Sequence, residues 1–221
     1  MPVFDLTFHS LFSSLDVTNF MTLFGLVLLE RKVVIVSKHA SVVTEVCESL
    51  RCLLFPLQWE SCYVPRLTTP LLDCLEFPGG ILVGVHDDTP DDPILEQTCL
   101  MWKVRHVMPP DATLVNLDLN RIEPSKKHPM TWKNMPSKPA RMMKDRLEAL
   151  LAACDIRPQA TDLSHLDRAF DMAPIPASAN GLGEVQELEN ATVRDIALAF
   201  MAGVLDKYNE HLLAPTANWE V

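Results

Sequence analysis

The sequence predicts an α/β domain: a central sheet, mostly parallel or mixed, flanked by helices and followed by an incomplete all-helical segment. Three observations lead there. A helical pattern stops at Leu28-Leu29-Glu30-Arg31-Lys32, and Val33-Val34-Ile35-Val36 begins at once, closed by Ser37. A short, continuous, β-branched run marks a strand buried on both faces rather than one half-exposed. The same form returns at Ile81-Leu82-Val83-Gly84-Val85, and Thr113–Leu119 reads as a further strand. Buried strands separated by helical pattern argue for layered α/β architecture with parallel or mixed pairing.

Each element has its own justification. Phe4 to Phe12 is an apolar, aromatic lead-in with no clear period. Asp16 can cap a helix, because its carboxylate can accept the orphan amides of the first turn. Val17, Phe20, Met21, Phe24, Val27 and Leu28 then fall on one face, and Arg31 and Lys32 follow its end, where cations suit the helix dipole. After the first strand, Ser41 is the expected cap of a second helix whose stripe is Val42, Val43, Val46, Leu50, Leu53 and Leu54. Pro56 ends it. Tyr63-Val64-Pro65 reads as an edge strand, since proline cannot donate to a ladder. Thr69-Pro70 opens a short helix to Glu76, and Pro78-Gly79-Gly80 is a turn.

The loop from His86 to Pro93 is polar and proline-interrupted, and Leu95–Val107 has no clean period. Residues 124–139 are proline-rich and basic. Ala140–Cys154 is an amphipathic helix with Met143, Leu147, Leu150 and Leu151 inward. Pro174–Gly183 is the clearest linker. From Glu184 to Leu213 the pattern is helical, with Val193, Ile196, Ala197, Phe200, Val204 and Leu205 as its stripe. That stripe needs partners the last eight residues cannot supply. The expected division is therefore a module over 1–155, a linker over 156–183, and the start of a helical module over 184–221.

Composition removes several function classes. Among 221 residues, 48% are hydrophobic and 22% charged, enough for a substantial core. The net charge of −10 argues against nucleic acid as the main partner, since phosphate binding needs a basic surface. Six cysteines lie within apolar patterns and no signal peptide is expected ahead of them, which favours reduced thiols over disulfides. No apolar run is long enough to span a bilayer, and no targeting segment is expected. The only GxG, Gly181-Leu182-Gly183, lies outside any strand-to-helix turn, and GxSxG is missing. No His or Cys pairs stand at zinc-ligand spacing. Asp87, Asp88, Asp91 and Asp92 lack the glycine and distal glutamate of a calcium loop, so they read as a solvated acidic loop. Neither a metal nor an organic cofactor is expected.

Partner-binding candidates are Trp59, Tyr63, Arg66, His86, Asp87 and Asp88, because loops at the strand ends of a rigid sheet are where binding residues gather. Each has a plainer reading. His86 is a strand-end histidine satisfied by a hydrogen bond, and Trp59 and Tyr63 are core or rim packing as readily as interface anchors. Residues 121–146, with Lys126, Lys127, Lys133, Lys138, Arg141, Lys144 and Arg146, form either a solvated face or a docking surface for an acidic partner or anionic membrane.

The ordered series of motifs resembles a known family. LFxLxLLERKVVIVS, FPLQW with YVP soon after, LLDCLE, LVGVH and then Leu114–Asn120 are similar in order to the central module of a DENN domain. The resemblance covers roughly Asp5 to Cys154 and includes Pro136-x-x-Pro139. Asp195–Leu213 is similar to the first helix of that family's downstream helical module. Gly79-Gly80-Ile81 stands where relatives often carry a second proline and an aromatic, and Asp87-Asp88 where small hydroxyl residues are commoner. The resemblance implies guanine-nucleotide exchange on Rab-type small GTPases, by binding rather than bond-making, with no catalytic residue. It implies an upstream longin-like module beyond this sequence, and a cytoplasmic setting with recruitment to vesicle or organelle membranes. A DENN-like scaffold or adaptor without exchange activity is the alternative.

Overall fold

The computed structural model describes residues 7–90, 96–158, 188–206 and 208. Five strands form one sheet: β1 (Lys32–Ser37), β2 (Cys62–Val64), β3 (Ile81–His86), β4 (Ala112–Asn116) and β5 (Arg121–Glu123). Their order is β2-β3-β1-β4-β5. The first four run parallel, and β5 returns antiparallel beside β4. β1 is central, with Val34 opposite both Val83 and Leu114.

Alternation along β1 divides the core into two layers. Val33 and Ile35 join a large cluster, while Val34 and Val36 join a smaller one on the other face. The large cluster is covered by α1 (His9–Ser14), α2 (Val17–Leu28), α3 (Ala40–Leu53), α5 (Ser137–Ala153) and α6 (Asn190–Leu205). The other face takes α4 (Leu100–Val107) and a 3₁₀ helix over Thr69–Glu76. Both faces are thus closed, which is why β1 and β3 read as continuous apolar runs.

Asp16 caps α2 as its chemistry predicts: Oδ1 accepts the Asn19 amide at 2.8 Å. Asn120 ties this cap to the β4–β5 turn, donating from Nδ2 to Asp16 Oδ2 at 2.9 Å and accepting the Asp16 amide at 3.1 Å. Asn120 has φ +47, a left-handed conformation that asparagine tolerates. β2 is an edge strand, as the proline after it requires. All six cysteines are free thiols.

Several expectations are corrected. Ser41 does not cap α3. Ser37 Oγ accepts the His39 amide at 3.0 Å, which closes the turn early, so His39 is the cap residue and the helix starts at Ala40. The third strand ends at Asn116 and not at Leu119, because Asn116 Oδ1 accepts the Leu119 amide at 2.9 Å and bends the chain. β5 was not anticipated; three residues with charged ends carry no periodic signal. The lead-in contains α1, whose residues Leu11 and Phe12 are fully buried. Within Leu95–Val107 lies α4, opened by Cys99, whose Sγ accepts the Trp102 amide at 3.3 Å. Leu150 is only partly buried on α5.

The stripe on α6 has its partners. Val193, Ile196, Ala197, Phe200 and Met201 are buried, and Phe200 meets Phe24 edge-on at 5.7 Å between ring centroids. The apolar face of α5 (Ala140, Met143, Leu147, Leu151) is wide enough to receive α6 as well as α2. Asp91, Asp92, most of the 156–183 linker and the outer turns of the Glu184–Leu213 pattern lie outside the described residues. Among the described residues no helix is long and apolar enough to cross a membrane.

Candidate partner-binding surface

Four parallel strands give the sheet two unlike ends, and the six candidate residues divide between them. β1 alone, at roughly 3.3 Å per residue, separates the ends by about 17 Å.

His86, Asp87 and Asp88 do come together, at the carboxyl ends of β1, β3 and β4. His86 Nε2 donates to the Lys38 carbonyl at 3.0 Å, since a carbonyl can only accept. The Asp87 amide donates to the Ser37 carbonyl at 2.8 Å, extending the β1–β3 ladder past the strand end. Asp87 Oδ1 accepts the Thr89 amide at 3.1 Å. Asp88 Oδ1 accepts the Leu100 amide at 3.0 Å, satisfying an orphan donor in the first turn of α4. Two residues absent from the sequence expectation complete this rim. Asp118 accepts from Ser37 Oγ at 2.6 Å and from the Lys38 amide at 2.9 Å. Lys38, whose amide bonds Asp118 and whose carbonyl bonds His86, is exposed. Had Asn116 been read as the strand end, Asp118 would have fallen on the rim beside His86.

The result is a pinned, acidic edge. Each loop is tied by backbone and side-chain hydrogen bonds, yet one carboxylate oxygen of Asp87 and one of Asp88 remain uncommitted among the described residues. Rigid polar loops with spare acceptors suit recognition of a basic or amide-rich protein surface. Arg66 is exposed on the outer side of β3, placed there by the Leu67 amide donating to the Gly84 carbonyl at 2.7 Å.

Trp59 and Tyr63 lie at the opposite end, where Cys62 pairs with Ile81 at the start of β3. Tyr63 is held in place by α3. Its hydroxyl donates to Glu48 Oε1 at 2.7 Å, and the Arg51 guanidinium stands 4.3 Å over its ring. Burial, reinforced by the Glu48 hydrogen bond, pushes its phenol well above the usual tyrosine range. Trp59 Nε1 donates to the Cys62 carbonyl at 3.2 Å, with its ring against the core and one edge in a surface groove. Among the described residues, no three His, Cys, Asp or Glu side chains converge as metal ligands.

The parallel sheet thus carries an acidic rim at its carboxyl ends, built from Asp87, Asp88 and Asp118. Sequence comparison gives the family: the DENN (AEX-3) domain matches residues 1–118, the span from the N-terminus through β4. The chain belongs to the DENN domain family. It is similar to human DENN domain-containing protein 1B, 29% identical over 138 residues, 62% of this chain and 16% of that protein. It is similar to human DENN domain-containing protein 1A, 30% identical over 112 residues, 51% of this chain and 10% of that protein. DENN domain and WD repeat-containing protein SCD1 of Arabidopsis thaliana is 30% identical over 129 residues, 58% of this chain and 10% of that protein. The chain therefore spans a small fraction of the relatives it matches.

Proposed function

We propose that this chain is part of a guanine-nucleotide exchange factor that binds a Rab-type small GTPase and promotes GDP release. The observation that carries the reading is DENN membership over residues 1–118, a span that takes in the whole parallel sheet and its acidic rim. The chemistry is linkage. A partner that binds the nucleotide-free GTPase more tightly than the GDP form weakens GDP binding by the same factor. A thousandfold acceleration by this route needs about 4 kcal/mol of differential affinity. A binding surface of fixed shape and charge supplies that, with no nucleophile or metal. The reading carries with it a cytoplasmic location and peripheral recruitment to vesicle or organelle membranes.

His86, Asp87 and Asp88, with Lys38, are the proposed contact rim. The test is release of a fluorescent GDP analogue from a panel of Rab GTPases at two ionic strengths. It is run on this chain alone and on the chain joined to an upstream longin-like module. Asp87→Asn with Asp88→Asn keeps acceptors for Thr89 and Leu100 but removes both charges, so the fold holds while exchange slows and loses salt dependence. If no Rab responds to either form, the scaffold or adaptor reading replaces this one.

A further inference from the structure

At the amino ends of the strands lies a groove of about 600 Å³ between the end of α2 and the segment after α3. Leu54 and Trp59 line it from the core side, and Leu29 and Leu57 stand in it 54% and 44% exposed. Its charged lining residues are Glu30 and Glu60, and neither carboxylate makes an ion pair or hydrogen bond among the described residues. Arg31 is exposed nearby but does not line it, and Lys32 is paired with Asp111 at 3.4 Å. Both α2 and α3 end here, and helix C-termini carry partial negative charge. Apolar floor, acidic rim and two negative helix ends all favour the same kind of occupant.

Glu30 adds an independent observation. The Arg31 amide donates to the Leu26 carbonyl at 2.9 Å and the Glu30 amide to the Val27 carbonyl at 2.9 Å, a Schellman ending of α2. Its left-handed position, usually glycine, is Glu30 at φ +49. A side chain there is strained, and strain held at a surface position points to a use for that side chain. Gly80 locks the turn: a Cβ on it would stand 2.4 Å from the Glu30 carbonyl oxygen.

We infer that this groove is a second docking surface, which takes an apolar segment of a partner protein flanked by lysine or arginine. It is separate from the rim of His86, Asp87 and Asp88 and does not depend on the exchange reading.

The test is fluorescence anisotropy of the 221-residue chain with a short labelled peptide. The peptide carries leucines at i, i+3, i+4 and i+7 and lysine at both ends. One comparison peptide has glutamate ends, and another has serine for leucine. The lysine-ended peptide binds saturably, and both others bind at least about tenfold more weakly. Glu30→Gly with Glu60→Gln weakens binding about tenfold while the melting temperature stays level or rises, because glycine relieves the turn. Leu57→Ser abolishes binding without unfolding an already exposed position. Equal binding of lysine- and glutamate-ended peptides overturns the inference, as does binding untouched by Leu57→Ser. Self-association of the chain that Leu57→Ser removes assigns the groove to a second copy and overturns the occupant proposed.

Discussion

Gly84→Ala is a severe perturbation for a single methyl group. Gly84 sits within β3, between β1 and β2. A Cβ built there would lie 2.1 Å from the Pro65 carbonyl oxygen and 2.5 Å from Val43 Cγ1. An unstrained carbon–oxygen contact is about 3.3 Å, so the backbone at Pro65 must retreat by roughly 1 Å. The Leu67 amide, which donates to Gly84 at 2.7 Å, retreats with it. Overpacking of this kind costs about 1–3 kcal/mol and the loosened hydrogen bond about 0.5–1.5 more. The sum is about 2–4 kcal/mol. At roughly 2–4 °C per kcal/mol for a chain of this size, the melting temperature falls by about 5–15 °C. Circular dichroism melts of the parent and variant measure it, with Gly79→Ala as control. A Cβ at Gly79 meets only the ring of Phe77, which is 42% exposed and free to swing aside, so that variant melts within about 2 °C of the parent. A Gly84→Ala protein that also melts within about 2 °C of the parent would refute the close approach of β3 and Pro65.

Other outcomes follow from the same structure. Val34→Asp places an unpaired charge in the smaller packed layer and costs several kcal/mol, comparable to the net stability of a domain, so the cooperative melt is lost. Asp16→Ala removes the α2 cap and the Asn120 tie, lowering stability by about 1–2 kcal/mol in urea titration. Phe200→Ala costs about 3–5 kcal/mol, and amides of α6 exchange slowly in the parent protein but quickly in the variant. Burial raises the Tyr63 phenol above its unfolded value, so its contribution to stability is complete below the ordinary tyrosine range and is lost as pH rises above about 10. In a Tyr208→Phe background, Tyr63 phenolate absorbance then appears only with alkaline unfolding. Burial likewise pushes the Cys47 thiol up, and a thiol reagent labels Cys47 only under denaturing conditions.

Much of the architecture was legible in local pattern. β1 and β3 announce themselves as unbroken apolar runs because both faces of the sheet are covered, and α3 and α5 as stripes because each is buried on one side, whereas α2 is buried nearly all round from Phe20 to Val27. Asp16 was recognisable as a cap because capping is chemistry over three residues. The ordered motifs from Leu23 to His86 were enough to point to the DENN family. Boundaries shift where a short polar side chain competes for a nearby backbone amide: Ser37 bonds His39 and α3 starts early, and Asn116 bonds Leu119 and β4 ends early, a choice that residue type alone leaves open. The partners of α6 were invisible because α5 lies more than thirty residues upstream.

The candidate site shows the same division most clearly. Sequence alone proposes strand ends as binding ground and six residues by type. It could not say that His86, Asp87 and Asp88 share one end of the sheet while Trp59 and Tyr63 occupy the other, because that depends on β2 running parallel to β3. Nor could it show Gly84 abutting Pro65, or a glutamate held in a left-handed turn against Gly80. Period and propensity are set by neighbours within a turn or two, so the chain specifies its own elements. Strand direction, register and close backbone approach are set by segments far apart in sequence, so only the packed structure decides which side chains meet.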